Sequence, residues 1–152
     1  LDPFQIELVT VIKLGLQNKL TLGNLEASRD WGFAGDYVEA MWMMLQHDTP
    51  DDWVIATGET YTVRQFLEAT FKKLDLNWEE YVQTSDKYLR PNEVEHLLGD
   101  PTKAKEELGW EPKTSFDSLV EMMIESDLNL AKREKVLVAE GLLEPTWENP
   151  TS

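Results

Sequence analysis

Residues 22–42 read LGNLEASRDWGFAGDYVEAMW, and this stretch decides the fold class. The alternating residues 19–22 that lead into it are typical of a short strand. A turn at Gly23 leads into a polar loop, in which apolar residues recur with no clear periodicity. From there, apolar residues recur every three or four positions over residues 33–46, which indicates an amphipathic helix. Strand, loop and helix in succession favour an α/β fold.

The rest of the chain continues this alternation of helices and short strands. Helices are predicted over residues 4–17, 62–74, 101–108 and from 116 towards 139, and strands over residues 53–56 and 81–83. With 152 residues the chain can bury one hydrophobic core. We expect one lobe over residues 1–141, followed by a C-terminal tail over residues 142–152.

Two of the predicted helices carry capping signals. Thr62 and Gln65 have the spacing of a capping box, in which each side chain bonds the backbone N–H of the other residue. Asp100 is a strong N-cap because Pro101 follows it at the first helical position. Gly109 predicts the C-terminal end of the helix that begins at Pro101.

Composition excludes several function classes. The 29 acidic residues against 14 basic ones give a net charge of -15, which disfavours nucleic acid and anionic membranes as partners. Cysteine is absent, so disulfides and thiolate chemistry are excluded, and the two histidines form no metal-binding motif. No apolar run is long enough for a membrane span, and no leader peptide is visible, so we predict a cytoplasmic location.

Motifs of the common enzyme classes are absent from this sequence. It has no G-x-G-x-x-G turn, which is the fingerprint of a dinucleotide site. None of the four tyrosines has a lysine four positions later, and there is no G-x-S-x-G elbow. We therefore assign no catalytic residue and no metal ligand, and we expect the chain alone to be inactive.

Two loop arginines are the best candidates for ligand binding. Arg29 begins the segment RDWG, and Arg90 begins the segment RPNE, where Pro91 favours an extended loop. A guanidinium can bond two phosphate oxygens, and a carboxylate such as Glu93 can accept from both hydroxyls of a vicinal diol. Together these groups match a nucleoside diphosphate. The alternative is that both arginines are solvated or form structural ion pairs.

Four segments carry a resemblance to a known family: residues 22–42, IATGET at 55–60, YLRPNEVE at 88–95 and LGDPTKAKEELGW at 98–110. They resemble GDP-mannose 4,6-dehydratases, a family of extended short-chain dehydrogenases/reductases, in the same order along the chain. The resemblance covers roughly residues 11–130 and does not include the first ten. It implies the C-terminal lobe of an extended Rossmann-type nucleotide-sugar enzyme, with several helices and a few short strands.

The resemblance also implies roles for five residues. Arg29 and Arg90 would bind the diphosphate of GDP-mannose, and Glu93 would bind the ribose hydroxyls of its guanosine. Asn24 would line the same cleft. Lys13, on the first helix, would approach the guanine, although a solvated helix lysine is the alternative.

Asp30 and Trp31 are expected to hold the loop of Arg29 rather than to contact the ligand. The reason for Asp30 is electrostatic, because an aspartate beside a diphosphate would repel it.

The family resemblance implies an activity for the complete enzyme. That enzyme is a lyase that uses bound NADP to convert GDP-mannose to GDP-4-dehydro-6-deoxymannose, a reaction of GDP-fucose biosynthesis. The Thr/Glu and Tyr-Lys pairs of the family, like its NADP fingerprint, are absent from this chain. The implied partners are GDP-mannose or GDP, and a homo-oligomer formed through the domain that this chain lacks.

Two other functions stay open at this point. The first is a non-catalytic module that binds nucleotide sugars or serves as a scaffold. The second is the corresponding lobe of a related nucleotide-sugar epimerase or reductase.

Overall fold

The computed structural model describes residues 4–88 and 94–145, with the backbone alone for Phe4 and Gln5. The helices are α1 (Phe4–Lys13), α2 (Ala34–Gln46), α3 (Val63–Lys73), α4 (Trp78–Tyr81) and α5 (Phe116–Ala139). The strands are β1 (Leu20–Leu22), β2 (Ser28–Arg29), β3 (Tyr61–Thr62) and β4 (Val82–Thr84). A 3₁₀ turn covers Asp86–Tyr88 and a π-helical turn covers Ala104–Leu108. Helices with a few short strands confirm the predicted α/β class.

The described residues form two compact units. The first unit contains residues 4–24, 66–88 and 120–145, and the second contains residues 25–65 and 94–119. Each unit has one pair of strands. In the first unit β1 pairs in parallel with β4, and in the second unit β2 pairs antiparallel with β3.

In the first unit, α1 packs beside α5. Val11 and Ala131 form a buried cluster there, with Leu14, Leu16 and Val138 packed around it. The residues of α3 in this unit follow the predicted apolar face, because Phe66, Leu67, Thr70 and Phe71 are all buried. The parallel register of the strand pair sets Leu20 opposite Val82 and Leu22 opposite Thr84.

In the second unit, the inner face of α2 packs on a cluster around Trp110. Ala40 of α2 and Ala104 are fully buried in this cluster. The Trp110 indole donates a hydrogen bond of 2.9 Å to the carbonyl oxygen of Asp36. The carboxylate of Asp36 in turn accepts from the backbone N–H of Thr114 at 2.9 Å. These bonds fix the start of α2 against the segment that precedes α5.

Both predicted helix caps are confirmed. The Thr62 N–H donates to the Gln65 side chain at 2.7 Å, and the Gln65 N–H donates to the Thr62 hydroxyl at 3.1 Å. Asp100 accepts from the N–H and the hydroxyl of Thr102. The helix that follows is wound as a π-helix, and it ends at Gly109 in the left-handed conformation with φ at 69°.

Two boundaries differ from the prediction. The first helix ends at Lys13 rather than near residue 17, because the chain leaves the helix at Gly15, where φ is 70°. The strand predicted over residues 81–83 begins one residue later, since Tyr81 still belongs to α4. Asn77 stabilises that short helix by accepting from the N–H of Glu79.

The strand predicted over residues 53–56 is not formed. Residues 51–57 have no regular secondary structure and belong to no ladder with any residue that the structure describes. Val54 in this segment is 55% exposed. The prediction of a strand from this apolar pattern was therefore wrong for the described residues, because a strand also requires a neighbour to pair with.

The predicted tail lies only partly within the described residues. Gly141, with φ at 69°, ends the helical region, and residues 146–152 lie outside the described part. None of the helices in the described part is long and apolar enough to cross a membrane.

Candidate functional site

The loop that carries Arg29 is organised around β2. Ser28 of this strand lies opposite Thr62 of β3. On its other side, Ser28 forms a bridge with His96. The Ser28 N–H donates to the carbonyl oxygen of Glu95 at 2.7 Å, and the Leu97 N–H donates to the Ser28 carbonyl at 3.0 Å. Backbone on both sides of β2 therefore fixes the position from which the Arg29 side chain projects.

Arg29 itself bonds two backbone carbonyls. Its Nη1 donates to the carbonyl oxygen of Ser28 at 2.7 Å and to that of Val94 at 2.6 Å. Val94 directly follows Glu93 in the sequence. The predicted site residues Arg90 and Glu93 lie outside the described residues. Arg29 is therefore bonded to Val94, the residue that follows the segment containing Arg90 and Glu93 in the sequence.

Asp30 holds this loop through four hydrogen bonds. Its Oδ1 accepts from the Thr57 N–H at 2.9 Å and from the Thr57 hydroxyl at 2.6 Å. Its Oδ2 accepts from the N–H groups of Gly58 at 3.1 Å and Gly99 at 3.4 Å. The Trp31 indole donates to a carbonyl oxygen of β3 at 3.2 Å. The predicted loop-holding role of Asp30 and Trp31 is confirmed.

Lys13 lies in the first unit, at the end of α1. Its Nζ donates a hydrogen bond of 2.6 Å to the carbonyl oxygen of Leu74, just beyond the end of α3. A cation is favoured there because the carbonyls at a helix C-terminus carry partial negative charge. The alternative of a merely solvated Lys13 did not include this bond to a backbone carbonyl. The approach of Lys13 to guanine stays a prediction.

Asn24 is half-buried and follows a glycine that the local packing requires. A Cβ on Gly23 would overlap the carbonyl oxygen of Tyr88, so only glycine permits this approach of the two backbones. Tyr88 is the last described residue before the segment of Arg90. Asn24 therefore follows a residue whose backbone approaches Tyr88 closely.

Electrostatics argue against a tyrosine base in the second unit. Burial raises the pKa of the Tyr37 phenol, and the carboxylates of Asp30 and Asp36 raise it further. A hydrogen bond to Glu59 raises the pKa of Tyr61 in the same way. Both phenols are therefore protonated at neutral pH, so neither is available as a general base.

The second unit also contains a cavity of 210 Å³ beside Trp31. Its polar groups are bonded within the protein: the Tyr61 hydroxyl donates to Glu59 at 2.7 Å, and Lys113 donates to Glu39 at 2.6 Å. We assign no reaction to this cavity, because these internal bonds satisfy the groups that could perform one.

Solved structures share this fold and confirm the predicted class, a lobe of a Rossmann-type enzyme. RMD from Pseudomonas aeruginosa, complexed with NADPH, matches with a TM-score of 0.75 at 18% identity, over 84% of this chain and 42% of that one. UDP-glucose 4-epimerase from Thermotoga maritima, with UDP-glucose, matches with a TM-score of 0.65 at 25% identity, over 85% of this chain and 38% of that one.

Within that class, this chain belongs to the GDP-mannose 4,6 dehydratase family, whose sequence model matches residues 5–123. GDP-mannose 4,6 dehydratase 2 of Arabidopsis thaliana is 61% identical over 88% of this chain and 36% of its own length. The human GDP-mannose 4,6 dehydratase is 45% identical over 82% of this chain and 38% of its own length. The chain thus spans little more than a third of these relatives, and the predicted family is confirmed.

Proposed function

We propose that this chain is the substrate-binding part of a GDP-mannose 4,6-dehydratase and that it binds the GDP portion of GDP-mannose. One observation carries the proposal. Arg29 is fixed by hydrogen bonds to the carbonyl oxygens of Ser28 and Val94, and Val94 follows Glu93 in the sequence. These residues lie in the region that matches the family model. An arginine held in this way loses little conformational entropy when it binds an anion.

Three residues carry the proposed recognition of GDP. Arg29 and Arg90 bind the diphosphate, because a guanidinium presents planar pairs of donors to phosphate oxygens. Glu93 accepts from the ribose hydroxyls. The net charge of -15 makes such local positive groups necessary, since the rest of the surface repels an anion.

Asn24 and Lys13 complete the proposed site. Asn24 lines the cleft with a side chain that can both donate and accept. Lys13 contributes to guanine recognition if its ammonium exchanges the Leu74 carbonyl, now 2.6 Å away, for an acceptor on the base. That exchange replaces one charge-assisted hydrogen bond by another, so its contribution to affinity is small.

The residues of this chain do not fit the NADP that the family uses. The glycine-rich turn that would hold its pyrophosphate does not occur in the sequence. We therefore derive no step of the reaction through NADP, and we propose that conversion of GDP-mannose to GDP-4-dehydro-6-deoxymannose is a property of the longer enzyme. A homo-oligomer and a cytoplasmic location are proposed for that enzyme as well.

Calorimetric titration with GDP, UDP and dTDP tests the proposed ligand. We expect GDP to bind this chain most tightly, because the family to which it belongs acts on a GDP-sugar. Tighter binding of UDP or dTDP would contradict the proposal that this chain binds GDP.

A second assay tests the proposed division of labour. Purified chain supplied with GDP-mannose and NADP should release no 4-keto-6-deoxy sugar above a control without protein. Product formation would contradict the proposal, because it would require a hydride site and a proton donor within these 152 residues.

A further inference from the structure

The cavity beside Trp31, here called the aromatic pocket, is walled by three aromatic rings. Trp31, Tyr61 and Phe116 all line it. The rings of Tyr61 and Phe116 stack with their centroids 3.9 Å apart and an angle of 11° between their planes. The lining residues that the structure describes all belong to the second unit. The three rings are thus brought together within that unit.

Contacts within the protein already hold the walls of the aromatic pocket in place. The Trp31 indole donates to the carbonyl oxygen of Tyr61 at 3.2 Å. The Tyr61 hydroxyl donates to Glu59 at 2.7 Å, and Phe116 stacks on the same tyrosine ring. Side chains that are already ordered lose little conformational entropy when they bind a ligand. The pocket is therefore pre-organised around its rings.

Hydrogen bonding offers a ligand little in this pocket. Four of its polar side chains already donate within the protein, at 2.6 to 3.0 Å: Thr57 to Asp30, Tyr61 to Glu59, Lys113 to Glu39 and Ser115 to Ser118. A sugar presents several hydroxyl groups, and burying each one without a partner costs free energy. Recognition in this pocket therefore depends on the ring faces and on charge.

Negative charge predominates beside the rings. A hydrogen bond to Glu59 raises the pKa of the Tyr61 phenol, and burial and the charges of Glu59 and Asp117 raise it further. Lys113 also lines the pocket, but its ammonium donates to both carboxylate oxygens of Glu39 at 2.6 Å. These side chains set three carboxylates against one ammonium, on a chain of net charge -15. The pocket therefore favours a cation over an anion.

We propose that the aromatic pocket binds a small organic ammonium ion, which lies against the three rings and whose charge is balanced by Glu59. Aromatic faces attract ammonium groups because the ring quadrupole is negative there, and a fully methylated ammonium needs no hydrogen-bond acceptor. The volume of about 210 Å³ suits a small ligand, since sites for drug-sized molecules enclose roughly 300–1,000 Å³. The proposal does not depend on the assignment of the nucleotide site.

Choline and its uncharged carbon analogue, in which a tert-butyl group replaces the trimethylammonium group, test this site. The two molecules have the same shape and differ in charge. Binding is followed by the chemical shift of the Trp31 indole N–H in the isotope-labelled chain, at constant ionic strength. Choline should give a saturable shift and bind at least about threefold more tightly than the analogue, because only the cation is attracted by the ring faces. Tighter binding of an acetylated trimethyllysine amide than of choline would support the same cage and identify a methylated side chain as the source of the cation.

Two substitutions show whether the rings and the carboxylate bind the cation. Phe116→Leu keeps an apolar side chain but removes a ring. Glu59→Gln removes a charge, while its amide oxygen can still accept from the Tyr61 hydroxyl. Each should weaken choline binding by about threefold, and Glu59→Gln should leave the binding of the uncharged analogue unchanged. Glu106→Gln removes the same charge from an exposed side chain outside the lining and should not alter the affinity for choline.

Three results would overturn the proposal. The first is the lack of a saturable Trp31 shift with choline, and such a shift with glucose instead would assign the pocket to a sugar. The second is equal affinity for choline and its uncharged analogue, which would make the pocket merely apolar. The third is the parental affinity for choline in Glu59→Gln. Because Glu59 is exposed, this last test stands even if Phe116→Leu does not fold.

Discussion

Buried and half-buried carboxylates have opposite surroundings in the two units. In the second unit, Asp30 accepts from three backbone N–H groups and one hydroxyl, and Asp36 accepts from two backbone N–H groups. In the first unit, burial and the nearby Glu7 raise the pKa of Asp127 to about 6. Burial and Glu134 raise the pKa of Glu7 as well. An acid withdrawn from solvent therefore stabilises loops where N–H groups donate to it and costs stability where other acids lie nearby.

This difference explains why the loop of Arg29 is well fixed. The donors to Asp30 come from residues 57–58 and from Gly99, which are distant in sequence from the loop itself. One carboxylate thus ties three segments of the second unit together.

The largest expected effect is that of Asp30→Ala. The substitution leaves backbone donors of Thr57, Gly58 and Gly99 without their acceptor. Because hydrogen bonds to charged groups contribute roughly 1.5–3 kcal/mol each and are not additive, we expect a loss of about 3 kcal/mol in unfolding free energy. Urea denaturation followed by tryptophan fluorescence measures this loss.

Asp48→Ala is the matched control, because Asp48 is an exposed aspartate of the same unit. It should change the unfolding free energy little. Asp30→Asn should fall between the two, since the amide keeps one acceptor but turns an NH₂ group towards backbone donors. Equal stability of the Asp30→Ala and Asp48→Ala variants would refute the organising role of Asp30.

The next effect, of opposite sign, is expected for Asp127→Asn. Its pKa is raised from 3.8 to about 6 in the folded protein, so the folded state retains a proton that the unfolded chain releases. The stabilisation from this proton is complete below pH 4 and is lost as the pH rises through about 6. At pH 7 the half-buried charge then opposes folding, and the neutral asparagine should raise the melting temperature by several degrees.

The pH profile distinguishes this cause from a simple change of surface charge. Between pH 4 and pH 7 the Asp127→Asn variant should lose less stability than the parent. Glu125→Gln removes one exposed charge from the same helix and should keep the parental profile. Parallel profiles for parent and Asp127→Asn would show that Asp127 does not titrate in this range.

The smallest effect is expected for an exposed ion pair of the second unit. Lys105 and Glu111 lie 2.9 Å apart with 67% and 62% of their side chains exposed. The pair raises the pKa of Lys105 and lowers that of Glu111, but solvent screens their attraction. Glu111→Gln should leave the melting temperature unchanged within error. A loss as large as that of Asp30→Ala would mean that charge pairing in general, rather than backbone donors, stabilises this unit.

The sequence predicts those parts of the fold that depend on local signals. The apolar spacing of α2, α3 and α5 and the caps at Thr62 and Asp100 each identify an element without knowledge of its neighbours. Pairing is different, because it depends on residues far away in the chain. The two-residue strands β2 and β3 carry no periodic signal, and residues 53–56 have the pattern of a strand without a partner among the described residues.

The candidate site is predictable to a similar extent. The residue types and the family resemblance indicate Arg29, and its bond to Val94 follows from pairing that no local pattern shows. The bond of Lys13 to Leu74 was missed because an exposed lysine on a helix looks solvated in any sequence. Arg90 and Glu93 stay predictions, since they lie outside the described residues.

Titration of GDP and of guanosine into the Arg90→Ala variant tests the proposed diphosphate site most directly. The variant should bind GDP at least about tenfold more weakly than the parent chain, because it loses a charge-assisted pair of donors. Its affinity for guanosine, which has no phosphate, should be unchanged, and Arg133→Ala on α5 should affect neither ligand. An unchanged affinity of Arg90→Ala for GDP, or an equal loss in Arg133→Ala, would contradict the assignment of Arg90 to the diphosphate.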